Sequence, residues 1–389
     1  MRICGRFLKV VLCILLILGF CGCWDSRELN KLAIVMGMGI DKGDAPGTIQ
    51  FTAQVINVGE IQTAGNNGGG GGQVKSYVNF EDTGNTVFST IRDITNQSSR
   101  KLYFAHNQVL IFGRSVAEEG VSKYLDFFLR DPETRLNVYI LVAQDSAEDV
   151  LNVKSNIENI PAQNIKYMIE EESAFASQTI AVQLYDFKNS LLVKTKAAVA
   201  PIVEISQGSD GEISKISGTA VFKGDKLVGS LNKAEGRGLL WVLGKAKSGI
   251  IEARTPQGNL VCMETVRAEG KFSPEIIDGK VKITITIREE GNIGEQEGSE
   301  DLSDLSEIAY LEQQKQEVIK SEVMAAIQKA QELDADIFGF GESVHQKYPK
   351  EWTSMESQWD ELFQEIKVEI HVDAKLRLLG RINTTVVSE

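Results

Sequence analysis

Histidine, internal cysteine and positive charge are scarce in this chain of 389 residues, and each shortage removes a class of function. The only histidines are His106, His345 and His371, on separate predicted elements and with no pairing at metal-ligand spacing, so a zinc site has no ligand set. The cysteines are Cys4, Cys13, Cys21, Cys23 and Cys262. Four of them crowd into the leader and its boundary, so a chain cleaved before Cys23 has no pair left for an internal disulfide. It must fold on its core alone, and 367 residues are ample for two or three domains. Cys262, amid Leu260, Val261 and Met263, reads as a small buried hydrophobe. Lys and Arg number 41 against 54 Asp and Glu, and the leader takes three of the basic residues, which leaves a net charge of −16. Nucleic acid is excluded as a partner, because phosphate-binding surfaces need clustered Lys and Arg. The same excess of acid is repelled by an anionic bilayer.

What is present begins with a secretory leader. Arg2, Arg6 and Lys9 precede an unbroken apolar run from Val10 to Phe20, and Gly22 stands before Cys23. That run is short of the ~20 residues a spanning helix needs and fits the ~7 to 15 of a signal h-region. Cysteine directly after such a run and a small residue is where bacterial lipoproteins receive a diacylglyceryl thioether before cleavage. Each buried methylene contributes roughly 0.8 kcal/mol, so two acyl chains hold firmly where one holds marginally. Cys23 is therefore the expected lipidation site and residues 1–22 the signal peptide. Plain secretion with cleavage elsewhere is the alternative, since Phe20 and Cys21 fill the preceding positions imperfectly.

Downstream, the apolar stretches 32–40 and 49–58 flank a turn-rich segment, Asp41 to Gly47, and read as a hairpin. Gly37 and Gly39 lack the third glycine of a dinucleotide loop and read as small residues in a packed strand. Five consecutive glycines, Gly68 to Gly72, mark a surface loop. A helix follows with Val87, Phe88, Ile91 and Ile94 on its apolar face, then a buried strand at 107–112. A second helix carries Ala117, Val121, Tyr124, Leu125 and Phe128, and another strand spans 137–143. Strands are expected at 201–205, 213–222 and 226–231, and a short helix around Trp241. An alternating strand covers 280–288, with an acidic connector from Glu289 to Asp304. The longest helix then carries Leu311, Ile319, Val323, Ala326, Ile327 and Ala330 inward and Lys315 outward. An aromatic stripe of Trp352, Met355, Trp359, Leu362 and Phe363 precedes a closing strand at 368–376.

The expected fold class is α+β, with three domains of mixed sheets and packed helices. These are an N-terminal mixed domain at 24–195, a small strand-rich middle domain at 196–255, and a C-terminal domain at 256–389 with a long helix across a mainly antiparallel sheet.

No constellation asks for an enzyme. Gly341-Glu342-Ser343-Val344-His345 puts histidine where a nucleophile elbow needs its second glycine. Asp334-Ala335-Asp336 opens like a calcium loop, but Phe338 occupies a ligand position, so helix termination and recapping is the expected role. The runs Glu170 to Glu172 and Glu289-Glu290 read as solvated faces. No cofactor or metal is expected.

Two motifs carry a family resemblance. Cys23-Trp24-Asp25-Ser26-Arg27-Glu28-Leu29, running on through Leu32 to Asp41, resembles the mature start of the C-subunit lipoproteins of spore nutrient germinant receptors, the Ger(x)C family. Asp336-Ile337-Phe338-Gly339-Phe340-Gly341-Glu342, followed by His345, Pro349, Trp352 and Trp359, resembles that family's C-terminal signature. The resemblance implies a non-enzymatic, three-domain lipoprotein on the outer face of the spore inner membrane, working with a multi-span A subunit and a transporter-like B subunit. Trp24, Asp25, Arg27 and Glu28, next to the anchor, are candidate partner contacts, with capping and local packing as the other reading. A solute-binding lipoprotein that captures the germinant itself is the alternative from another class, and germinant binding by this chain stays open.

Overall fold

A computed structural model describes residues 31–57, 76–155, 157–299, 301–302 and 304–378. The expected anchor and contact residues, Cys23, Trp24, Asp25, Arg27 and Glu28, lie outside the described residues, as does the glycine run.

The chain enters on β1 (Leu32–Lys42), which pairs antiparallel with β2 (Ile49–Ile56) as the expected hairpin, and β3 (Tyr77–Gly84) adds antiparallel to β2. After α1 (Val87–Ile94), β4 (Lys101–Tyr103) and β5 (Val109–Phe112) lie parallel to β1. The single second helix expected from periodicity is two: α2 (Arg114–Glu119) and α3 (Ser122–Arg130). Gly120, at φ +124 between them, adopts a backbone that side-chain-bearing residues avoid and turns the chain. β6 (Tyr139–Ala143) continues the parallel series, followed by α4 (Ala147–Asn152), α5 (Pro161–Glu171) and α6 (Leu184–Leu192).

The strand-rich segment after residue 196 joins this same sheet. β7 (Val199–Gly208) pairs parallel with β6, and β8 (Gly211–Lys223) and β9 (Lys226–Leu231) extend the edge antiparallel. The path is β3-β2-β1-β5-β6-β7-β8-β9, with β4 beside β1. Alternation along the central strands feeds two faces: Leu110 and Phe112 pack with helices α1 to α3, whereas Val109 and Ile111 pack with α4 and α5. Gly37 and Gly39 explain themselves here. A Cβ on Gly37 would stand 2.6 Å from the Ala162 methyl, and one on Gly39 3.1 Å from the Ala147 methyl, so α4 and α5 sit flush on β1.

Next, α7 (Lys233–Val242) starts with a reciprocal cap between Asn232 and Glu235 and leads to a second sheet. There β10 (Ile250–Arg254), β11 (Leu260–Ile277) and β12 (Lys280–Gln296) run antiparallel. The 28-residue α8 (Leu305–Glu332) lies across them, and α9 (Phe340–Lys347), α10 (Pro349–Met355) and α11 (Trp359–Glu365) precede β13 (Lys367–Leu378), which adds parallel to β12. One continuous core runs from the first sheet through α7 and α8 into the second.

Three expectations are corrected. The acidic connector does not start at Glu289: β12 continues to Gln296, and Glu289 is buried in it. Lys315, expected to face water, is also fully buried and pairs with Glu289 at 2.7 Å. Burial pushes the Lys315 ammonium down and the Glu289 carboxyl up, each opposed by the charge of its partner. Cys262 is not in the core either. Val261 and Met263 point inward, so the cysteine between them faces the other side of the strand and is half-buried, its thiol pushed up by burial and by Glu252, Glu295 and Glu297.

A candidate docking groove and a buried signature

An apolar concavity lies between α1 and α3. Thr86 caps α1 by accepting the Ser89 N–H at 3.1 Å, and Val87, Thr90, Ile91 and Ile94 turn to the sheet. Phe88, expected on that buried face, instead stands 53% exposed. The stripe at positions 87, 91 and 94 already fills the sheet contact, and residue 88 lies ~100° round the helix from 87. Helix α3 buries Tyr124, Leu125 and Phe128 and leaves Phe127 at the gap. The two helices thus flank a groove of about 570 Å³ floored by Ile91, Leu102 and Phe104.

Aromatic packing shapes its wall. Phe88 stacks on Phe127 with centroids 5.6 Å apart, and Phe104 meets Phe127 edge-on at 6.2 Å. The Arg92 guanidinium lies over Phe88, 5.0 Å from its centroid. On the rim, Lys101 pairs with Glu133 and Arg130 with Asp126, both at 2.8 Å. Arg92, Lys101, Lys123 and Arg130 face Asp126, Asp131 and Glu133, which makes the lining slightly basic on a strongly acidic chain.

The second distinctive place is the stretch 336–342. Asp336 is fully buried and accepts three backbone N–H bonds, Oδ1 from Gly339 (2.8 Å) and Phe340 (3.0 Å), Oδ2 from Gly341 (2.8 Å). Burial nevertheless pushes it up to about 6, against the pull of those donors. Recapping, the role expected for this aspartate, is what the geometry gives. Gly339 holds φ +78, and a Cβ on Gly341 would come within 2.7 Å of the Trp359 ring. Phe338 stacks on Phe340 at 4.8 Å, and Trp352 packs on Trp359 at 5.1 Å, so the aromatics of the stretch are core. Asp41 repeats the device in the first sheet: its carboxylate accepts the Ala147 and Glu148 N–H groups at 2.8 and 2.9 Å and closes the start of α4.

The histidines do not converge. His345 stacks on Trp352 at 5.6 Å, His106 lies 6.0 Å from Tyr103, and His371 pairs with Glu369 on an exposed strand face. Among the described residues no group of three or more His, Cys, Asp or Glu is placed to hold a metal. Glu172, expected on a solvated face, is turned in: it accepts the Gln178 and Thr179 N–H groups at 2.6 and 3.0 Å. Sequence reasoning missed the groove because a Phe in an amphipathic helix is ordinarily counted as core; the signal available was one apolar residue more than the stripe needs.

Two mixed sheets bridged by a long helix make an α+β fold of the kind seen in a solved structure of the GerBC protein. That structure superposes with a TM-score of 0.55 at 20% identity, covering 90% of this chain and 99% of the other. Sequence relatives agree. Spore germination protein KC of Bacillus subtilis (strain 168) is 27% identical over 98% of both chains, and spore germination protein B3 of the same organism is 23% identical over 94% of this chain and 96% of its own. Residues 25–205 match the family described as spore germination protein N-terminal domain, and residues 217–380 match spore germination B3/GerAC like, C-terminal. The chain belongs to the GerAC-like family of spore germination proteins.

Proposed function

We propose that this chain is a non-enzymatic C-type subunit of a spore germinant receptor, held by diacylglyceryl Cys23 on the outer face of the spore inner membrane and working there with membrane-embedded A and B subunits. The observation that carries the reading is the match of both halves of the chain to one family, with a relative named for spore germination aligned over 98% of each sequence. Attachment in this reading is through the lipid on Cys23; among the described residues no helix is long and apolar enough to cross a membrane. Tethering confines the chain to the plane of its partners and raises its effective concentration, which favours assembly without large contact areas. Trp24, Asp25, Arg27 and Glu28 lie closest to the bilayer in this arrangement.

Direct capture of a hydrophilic nutrient would require converging polar groups. The groove supplies an aromatic floor, with Lys101 and Arg130 already paired, which suits an apolar protein segment better. The test is Cys23→Ala in the native chromosomal context. The variant is expected to leave the membrane fraction, and nutrient-triggered germination to slow by roughly tenfold or more. Normal germination by spores carrying the substitution would refute anchoring as a requirement.

A further inference from the structure

The α1–α3 groove has an occupant within reach on the same polypeptide. We propose that residues 24–30 of this chain dock in the groove, with Trp24 seated against Phe88 and Phe127. The chain enters β1 at Leu32, which pairs with Lys101, and Lys101 and Leu102 line the groove. Paired strands lie ~4.8 Å apart, so the start of β1 lies beside the groove. Seven residues span up to ~25 Å extended. The flanking helices, eight and nine residues long, measure ~12 to 14 Å, so Trp24 reaches the far end of the groove with slack.

Chemistry matches as well as length. Phe88 and Phe127 present an aromatic wall, and an indole is the side chain that gains most from burial there and from a nearby guanidinium. Arg92 and Lys123 rest over the Phe88 and Tyr124 rings, and Asp25 and Glu28 supply the carboxylates that a slightly basic lining favours. A covalently attached segment meets its site at a local concentration of order millimolar, so modest contacts suffice. The docking requires no lipid. If Cys23 carries its acyl chains, as proposed above, they emerge one residue from the groove, and the α1–α3 face is held toward the bilayer.

The test uses the full chain with p-benzoylphenylalanine in place of Trp24, irradiated in its native membrane and mapped by mass spectrometry. Cross-links are expected within the chain, to peptides carrying Phe88 and Phe127. Phe88→Asp is expected to cut them roughly tenfold. Because Phe88 is half exposed, that variant keeps the wild-type unfolding midpoint. The same cross-links are expected in a Cys23→Ala background, which separates this proposal from anchoring. Products formed chiefly with lipid, with a second copy or with another protein would overturn it, as would intrachain products insensitive to Phe88→Asp.

Discussion

Replacing Asp336 by Asn separates two opposing influences on one buried carboxyl group. Burial pushes Asp336 from its ordinary 3.8 to about 6, although three backbone N–H donors pull the other way. The native state therefore binds this proton more tightly than the unfolded chain does, and the contribution to stability is full below 3.8 and lost as pH rises to about 6. At about 1.36 kcal/mol for each step of one in pKa, the loss is about 3 kcal/mol. Asp336→Asn keeps the shape and one acceptor, but it abolishes the titration and turns an amide N–H toward the Gly341 N–H, a mismatch costing about 1 to 3 kcal/mol. The variant is thus less stable than the wild type near about pH 4, and the gap closes or reverses by about pH 7, because only the wild type loses stability at this position on the way. Urea unfolding at several pH values, followed by tryptophan emission, reads the difference directly, since Trp352 and Trp359 sit in the same cluster. A gap that widens with pH would refute the reasoning: it would mean that three donors outweigh burial and that the carboxylate is the favoured native form.

Three further substitutions test how α8 is held to its neighbours. Lys315→Met leaves Glu289 buried without its partner and is expected to cost about 3 to 5 kcal/mol in chemical unfolding, whereas Lys315→Met with Glu289→Leu recovers most of that loss. Gly238→Ala drives a methyl group into the Glu322 carbonyl where α7 crosses α8, and a cost of at least about 1 to 3 kcal/mol is expected as a lowered thermal midpoint.

Periodicity made much of this architecture readable. The 32–40 and 49–58 stretches alternate or run apolar because both faces of β1 and β2 are covered, and α8 showed its stripe from Leu311 to Ala330. Periodicity failed where a charged residue is buried in a pair. Lys315 and Glu289 lie 26 positions apart, and nothing local marks either as interior; the strand therefore seemed to end at the first acidic run. The pairing of β7 with β6 was also out of reach of local reading, because its hydrogen bonds join segments separated by several helices. Asp336 was legible as a recapping residue once Phe338 had excluded a calcium loop, but its immersion comes from the aromatics of α9 to α11 closing over it.

The bond that ties α7 to α8 has a mechanical reading. Arg237 and Trp241 both reach Glu322, the Trp241 indole at 2.8 Å, while Gly238 lets the two backbones touch and Leu333, just past the end of α8, presses on Gly229 of β9. A helix of 28 residues, ~42 Å long, is thereby pinned beyond its middle to α7, just past its far end to β9 of the first sheet, and through Lys315 to the second. Such a strut leaves no slack for one sheet to swing against the other, since a swing would strip the Glu322 carboxylate of its partners in a dry interior. A swing of one sheet against the other carries that cost, whereas a tilt of the whole body does not.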